Sequence, residues 1–551
     1  MPSRFALSTI VACLLPFVAP TVMAQNAATP ARPASLAPTP AAASTAPTPW
    51  YASITTLDQA MASGKLTSLD LVQDFLRRIV KLDQNGPNVN SVIEVNPLAL
   101  EIARARDDAR APGKTHGPLF GIPVMLKDNI DTRGPMLTTA GSLAMVGAPA
   151  PRDSTVAAKL RKAGAIILAK TNLSEWANFR SSRATSGWSG RGGLTRNPYV
   201  LSHTACGSSS GSAAAVAAGF TTVAIGTETN GSIICPSSAN GDVGIKPTVG
   251  LVSRAGIIPI SSTQDTAGPI ARNVRDAAIV LTAIAGSDPR DPATADADQH
   301  ATDYTKFLNA NALKGKRIGV VRALVGTNPA VIKLLDKSIA VLRAKGAIVI
   351  DPVTIPHLGQ YDKAEMTVLL YQFKHDINAY LTTRKHLAVH SLKKLIAWDK
   401  VHAAEEMPWF GQDLFIQAEA KGPLTDKVYL DALHKLQTLA GPEGIDAALA
   451  AHHLDALMAP AQGPAWSIDL VNGDASSGAS AWGPAAVAGY PSITVPAGFV
   501  HGLPVGMLFF AGKWSEPTLI GIAYAYEQAT HARRNPKFLP TVPMPATAST
   551  P

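Results

Sequence analysis

Apolar and polar positions alternate with two different periods along this chain. Between residues 67 and 82, leucine, valine, phenylalanine and isoleucine recur every three to four positions behind Thr67-Ser68, and Asn85-Gly86 ends the run. That spacing predicts an amphipathic helix. Residues 97–109, opened by Pro97, predict a second helix, with a strand at 90–95 before it. Residues 121–127 are a short apolar run and read as a buried strand; 154–163 and 165–169 read as helix then strand. Small residues fill 212–218, which predict a helix, and a strand follows at 221–225. The rhythm returns as strand 316–321, helix 329–345 and strand 347–350. Polar stretches at 286–304 and 466–481 read as loops. Such alternation predicts an α/β fold: a single large domain with a mixed, largely parallel central sheet flanked by helices. After residue 50 no internal repeat and no Gly/Ser-rich linker divides the chain.

The ends follow other patterns. Arg4 precedes an apolar stretch from Phe5 to Val22 that is broken by Pro16 and Pro20, and Val22-Met23-Ala24 suits a cleavage site before Gln25. Residues 1–24 therefore read as a signal peptide. The alternative, a retained anchor, needs a longer unbroken apolar span than this one. Residues 25–49, almost wholly Ala, Pro, Thr and Ser, read as a linker, because such a composition cannot bury a core. Residues 50–545 are the expected domain and 546–551 a disordered tail. The expected location is exported, periplasmic or secreted.

Composition narrows the class. Of 551 residues, 46% are hydrophobic and 16% charged, which supplies a large core and excludes a disordered chain. The net charge of +9 is mild at this length, and no basic run or basic helix face points to nucleic acid. Of three cysteines, Cys13 lies in the leader, leaving Cys206 and Cys235 with neither C-x-x-C nor zinc spacing.

Three segments carry candidate chemistry. In the first, Lys127 ends an apolar strand and is followed by Asp128-Asn129. Burial there would lower its pKa, as a lysine base requires, but a lysine snorkelling from a strand end fits the same pattern. The second, Cys206-Gly-Ser-Ser-Ser-Gly-Ser212, leads into the small-residue helix and reads either as a close-approach loop or as a polar turn with a serine cap. It also satisfies G-x-S-x-G around Ser209, but Leu201–Ala205 is a poor strand, and a nucleophile elbow needs a strand there. The third, Gly226-Thr-Glu-Thr-Asn-Gly-Ser232-Ile, follows a strand and ends in a tight Gly-Ser turn. Consecutive amides in such a turn suit an oxyanion.

Taken together, the K-D-N, G-S-S-x-G-S-A-A-A-V and G-T-x-T-x-G-S-I segments resemble the amidase signature family. Gly250-Leu-Val-Ser-Arg, Asp265-Thr-Ala-Gly-Pro, Gly489-Tyr-Pro-Ser-Ile-Thr-Val-Pro-Ala-Gly and Gly502-Leu-Pro-Val-Gly extend the resemblance over about residues 52–530. It implies a serine amidohydrolase with a Lys-Ser-Ser triad: Ser232 as nucleophile, Ser208 as bridging serine and Lys127 as base. The amides of Thr229, Asn230, Gly231 and Ser232 would form the oxyanion hole. It implies no metal and no other cofactor. The expected partner is a small-molecule or peptide amide, with no nucleic acid, no stable membrane insertion after leader cleavage, and a monomeric chain. Asn230 and Ile234 stand where many members have Gly and Arg, and Cys206 and Ser210 replace two glycines; the triad is intact, but a cation near the nucleophile is gone.

Within the family the pattern, with Ser186-Gly-Trp-Ser-Gly-Arg-Gly-Gly193, is most similar to bacterial peptide amidases, which release ammonia from C-terminal peptide amides. A broad amidase on small aliphatic, aromatic or anilide amides is the rival reading. An exported amide-binding scaffold on a decayed amidase fold is the non-enzyme alternative. Cys206 and Cys235, each beside a catalytic serine, read either as a disulfide or as two small buried thiols. His452-His453 with Asp455 reads as a solvated helix face, not a metal site. Trp176, Phe179, Trp188, Tyr371 and Phe373 read as core or as cleft lining.

Overall fold

The computed structural model describes residues 49–110, 116–476 and 478–543. The expected signal peptide, nearly all of the expected linker and the tail lie outside these residues. Among the described residues no helix is long and apolar enough to cross a membrane.

The strands are β1 (Val92–Val95), β2 (Pro123–Lys127), β3 (Ile166–Thr171), β4 (Trp188–Ser189), β5 (Gly193–Leu194), β6 (Val223–Glu228), β7 (Val243–Lys246), β8 (Thr266–Ala271), β9 (Arg317–Val320), β10 (Ile348–Ile350), β11 (Ala456–Pro460), β12 (Ser492–Val500) and β13 (Leu503–Phe510). All but β4 and β5, which form a small ribbon, join one 11-stranded sheet in the order β1-β3-β2-β6-β8-β7-β12-β13-β11-β9-β10. The sheet is mixed and helix-flanked, as expected. Its parallel pairs form two blocks, β3-β2-β6 on one side and β11-β9-β10 on the other. Antiparallel strands join the blocks.

Local chemistry explains where elements start and stop. Thr67 caps helix Ser68–Arg78 through a reciprocal pair with Asp70. The helix predicted to reach residue 82 loosens after Arg78 into a wider turn, Ile79–Gln84. Asp83 in that turn is buried and accepts hydrogen bonds from Ser91 N (2.7 Å) and Val92 N (3.0 Å), so β1 begins later than predicted. The strand predicted at 221–225 runs on to Glu228 because β8, which the hydrophobic pattern did not reveal, pairs along its whole length. The 286–304 loop contains two short helical turns, Pro292–Thr294 and Ala297–His300.

Two features place the site. Parallel β2 and β6 end on the same edge of the sheet, and they end at Lys127 and Glu228. Helix Ser210–Ala218 is made of small residues and is wholly buried, so it can press against the strand ends. A Cβ on its Gly211 would sit 2.3 Å from Ser91 O and 2.5 Å from Asn172 O, so only glycine allows that approach. A second apolar cluster gathers helices Asp362–Thr383, Leu392–Val401 and Asp413–Glu419 around Trp176, Phe179, Phe373 and Phe415, and covers this edge.

Candidate active site

Lys127, at the last position of β2, is fully buried. Its Nζ lies 2.7 Å from Ser208 Oγ, 2.9 Å from Thr227 Oγ1 and 3.3 Å from Thr227 O. Burial lowers its pKa to about 7, against the opposing pull of the Glu228 and Asp265 carboxylates. A lysine so placed is neutral in a large fraction of molecules near neutral pH. Asn129 supports the arrangement by donating to Thr227 Oγ1 (3.0 Å). Asp128 turns away and takes the hydroxyl of Thr139 and the guanidinium of Arg191 (3.4 Å), which anchors the loop after the lysine.

Ser208 is buried just before helix Ser210–Ala218. Ser209, at the centre of G-x-S-x-G, has no strand before it. Its Oγ is spent on Thr227, donating to the carbonyl (3.1 Å) and accepting from the amide (3.2 Å). It therefore staples the helix to β6. Its own amide donates to Ser232 O (3.1 Å) and locks the two serine segments side by side.

After β6 the chain turns sharply through Thr229–Ser232. Gly231 has φ of 85°, and a Cβ there would come within 2.6 Å of the Trp482 indole nitrogen. Glu228 shapes the turn from below: its Oε2 accepts from Ile233 N (2.7 Å) and Ile234 N (3.0 Å). Among the described residues, the amides of Thr229, Asn230, Gly231 and Ser232 donate to no protein acceptor. Four consecutive free N–H groups beside a hydroxyl form a nest suited to an oxyanion. Thr229 Oγ1 is tied to Asp265 (2.5 Å), and Asn230 Nδ2 to Glu365 (2.6 Å) on the covering helix.

The four predicted amides and Ser232 line a cavity of about 400 Å³, together with Phe179, Met366, Leu369, Leu414, Trp466 and Trp482. Ser232 keeps 8% of its surface exposed, while Ser208 and Lys127 have none. The structure therefore brings every predicted site residue to one place: a hydroxyl at the cavity wall, with a buried Ser-Lys pair behind it. Cys206 and Cys235 are disulfide-bonded, with Cα atoms 5.9 Å apart. The bond ties the two serine segments together, and thus decides between the two cysteine readings. Phe179 belongs to the cavity, whereas Trp176 and Trp188 pack against Phe415 and Phe410 in the interior. Tyr371 and Phe373 are likewise buried in helix packing.

Sequence reasoning missed Thr227, Glu228, Glu365 and Asp474, the last a residue of the cavity lining. The first two sit inside the third segment, but only the fold shows which way they face. The others come from distant loops and helices.

A family model described as Amidase matches residues 70–520. A probable amidase of Arabidopsis thaliana is 43% identical over 498 residues, covering 89% of this chain and 92% of its own. Among solved structures, the peptide amidase of Stenotrophomonas maltophilia superimposes with a TM-score of 0.85 at 52% identity, covering 88% of this chain and 98% of that one. An amidase family protein of Bacillus anthracis superimposes with a TM-score of 0.81 at 38% identity, covering 88% and 92%.

Proposed function

Since this chain belongs to the amidase family and is an amide-hydrolysing enzyme, we propose that it cleaves the C-terminal carboxamide of peptides through a Ser232–Ser208–Lys127 triad. The observation that carries the triad is the Lys127–Ser208 contact of 2.7 Å in a fully buried setting, in a segment that the Ser209 N–Ser232 O bond (3.1 Å) holds beside the cavity-lining serine and its four free amides. In this reading, neutral Lys127 takes the proton of Ser208, and Ser208 takes that of Ser232 as its Oγ attacks the amide carbon. Two N–H groups of Lys127 stay on Thr227, so the lone pair faces Ser208. The negative oxygen of the tetrahedral intermediate is received by the amides of residues 229–232. The C–N bond then breaks, and the proton returns by the same path to the departing nitrogen. Water repeats the cycle on the acyl-enzyme and releases a carboxylate.

The peptide preference draws on the likeness to a peptide amidase and on the cavity itself. Its walls are largely apolar or hydroxylic, and Ile234, fully buried, places no charge beside the nucleophile. Export is part of the same proposal. The leader pattern supports it, as does a disulfide, which persists in an oxidising compartment. The test is ammonia release from a blocked dipeptide amide, beside its free-acid analogue and a small aliphatic amide, with Ser232→Ala as control. Fast release from the dipeptide amide alone is expected. Equal or faster hydrolysis of the small amide would replace this reading with the broad amidase.

A further inference from the structure

Among the described residues lining the cavity, one is charged: Asp474. No lysine, arginine or histidine joins it there, although the chain as a whole carries +9. Arg183 lies between two lining residues, Ser182 and Ala184, but is itself exposed and outside the lining.

The carboxylate of Asp474 is held by neutral donors only. Both oxygens accept from Ser186 N at 3.1 Å, and Oδ1 accepts from Trp466 Nε1 at 3.1 Å. No cationic side chain among the described residues comes within ion-pair distance of it. The residue lines the cavity and keeps an exposed surface, while the partial enclosure of its carboxyl group pushes its pKa above the ordinary value. The stretch of chain leading to it, residues 466–473, is held by hydrogen bonds. Ile468 N donates to Ser202 O (3.0 Å), Thr204 N to Trp466 O (2.9 Å), and Asp469 organises the turn through Val471 N and Asn472 N (both 2.9 Å). Two further carboxylates stand just behind the lining: Asp413, accepting from Ser181 Oγ (2.5 Å), and Glu365, on Asn230. The charge carried by the lining itself is therefore acidic.

We infer that Asp474 is a specificity residue that recognises a positively charged group on the acyl part of the substrate. This rests on the peptide-amide reading above. A peptide amide offers such a group from two sources, the free α-ammonium of a short peptide or a lysine or arginine side chain. Either would meet a fixed, unpaired carboxylate; a substrate carboxylate would meet repulsion without a compensating cation. Because the pair sits near solvent, its effect is modest and weakens with salt.

The experiment is titration calorimetry on the full chain carrying Ser232→Ala, so that turnover does not consume the ligand. The ligands are a blocked norleucine dipeptide amide, the same compound with a free α-amino group, and blocked lysine and glutamate counterparts. At low salt at least one cationic ligand binds about fivefold more tightly than the blocked norleucine compound, and the glutamate compound binds more weakly. Which cationic ligand gains identifies the source. Adding Asp474→Asn removes the preference while leaving the thermal midpoint within a few degrees, since asparagine still offers an acceptor to Ser186 and Trp466. Equal affinity across the series overturns the inference, as does a preference that survives Asp474→Asn, or no peptide binding at all. Hydrolysis of the blocked norleucine amide by the unsubstituted enzyme separately tests the peptide-amidase reading, which stands even where charge preference is absent.

Discussion

Lys127 Nζ lies 2.7 Å from Ser208 Oγ, and neither side chain reaches solvent. Enclosure is what makes the lysine useful. Water would hold its ammonium charged, whereas burial brings its pKa down to about 7.

The first prediction concerns pH. If neutral Lys127 is the base, kcat/KM rises with pH through a midpoint near 7 and falls about tenfold per unit below it. Lys127→Met removes about three orders of magnitude of activity and flattens this limb. Stability moves in the same direction. Unfolding restores the ordinary value of 10.5, so between about 7 and 10.5 the unfolded chain binds more protons and stability rises with pH. The penalty for burying Lys127 is thus full below about 7 and gone above 10.5. Lys127→Met should raise the melting temperature more at pH 6 than at pH 10. A pH-independent gain would mean that the charge is not what burial opposes.

The second concerns the serines. Ser232→Ala lowers kcat by at least about 10⁴, and adding Ser208→Ala makes it little worse, because members of one relay are not additive. Intact-mass measurement after a fluorophosphonate should find one adduct on the unsubstituted enzyme and none on Ser232→Ala. Labelling that persists in the variant would move the nucleophile elsewhere.

The third concerns Glu228, which holds the Ile233 and Ile234 amides and pulls the Lys127 pKa upward. Glu228→Gln keeps an acceptor but loses the charge. The expected result is about a tenfold loss in kcat with KM nearly constant, and a pH limb displaced to lower pH. An unmoved limb would remove Glu228 from the electrostatics of the lysine.

The fourth concerns Gly231. Its φ of 85° and the Trp482 ring 2.6 Å from a would-be Cβ exclude a side chain. Gly231→Ala should tilt the amides of residues 229–232 and cost about a hundredfold in kcat, since small misplacements at reacting atoms are expensive. Near-normal turnover by this variant would show that these amides do not bear the developing charge.

The fifth concerns the disulfide. It closes a loop with a sequence separation of 29, for which chain entropy gives about 3.5 kcal/mol of stabilisation. Cys206→Ala with Cys235→Ala should lower the free energy of unfolding by about that amount in a denaturant titration. A change under about 1 kcal/mol would mean the unfolded chain is already held compact.

The sequence by itself determined the helix–strand rhythm, the three segments and the residue types in them. Each depends on neighbours close in the chain: Thr67 with Asp70 at a helix start, or Gly231 beside Ser232 in a turn. It did not determine how the hairpin of β12 and β13 would join the distant β7 and β11, nor that β8 would draw β6 out to Glu228. Nor did it decide between a snorkelling Lys127 and a buried one. That depended on Thr227 and Ser208, 100 and 81 residues away, meeting it at the end of β2. The disulfide likewise needed two turns to be brought within 5.9 Å. The cavity wall is the extreme case, with Met366, Asp474 and Trp482 arriving from separate parts of the chain. Local pattern reports the conformational preferences of a segment; burial, pKa and the sign of the field in a cavity are sums over everything packed around it, and only the tertiary structure supplies those neighbours.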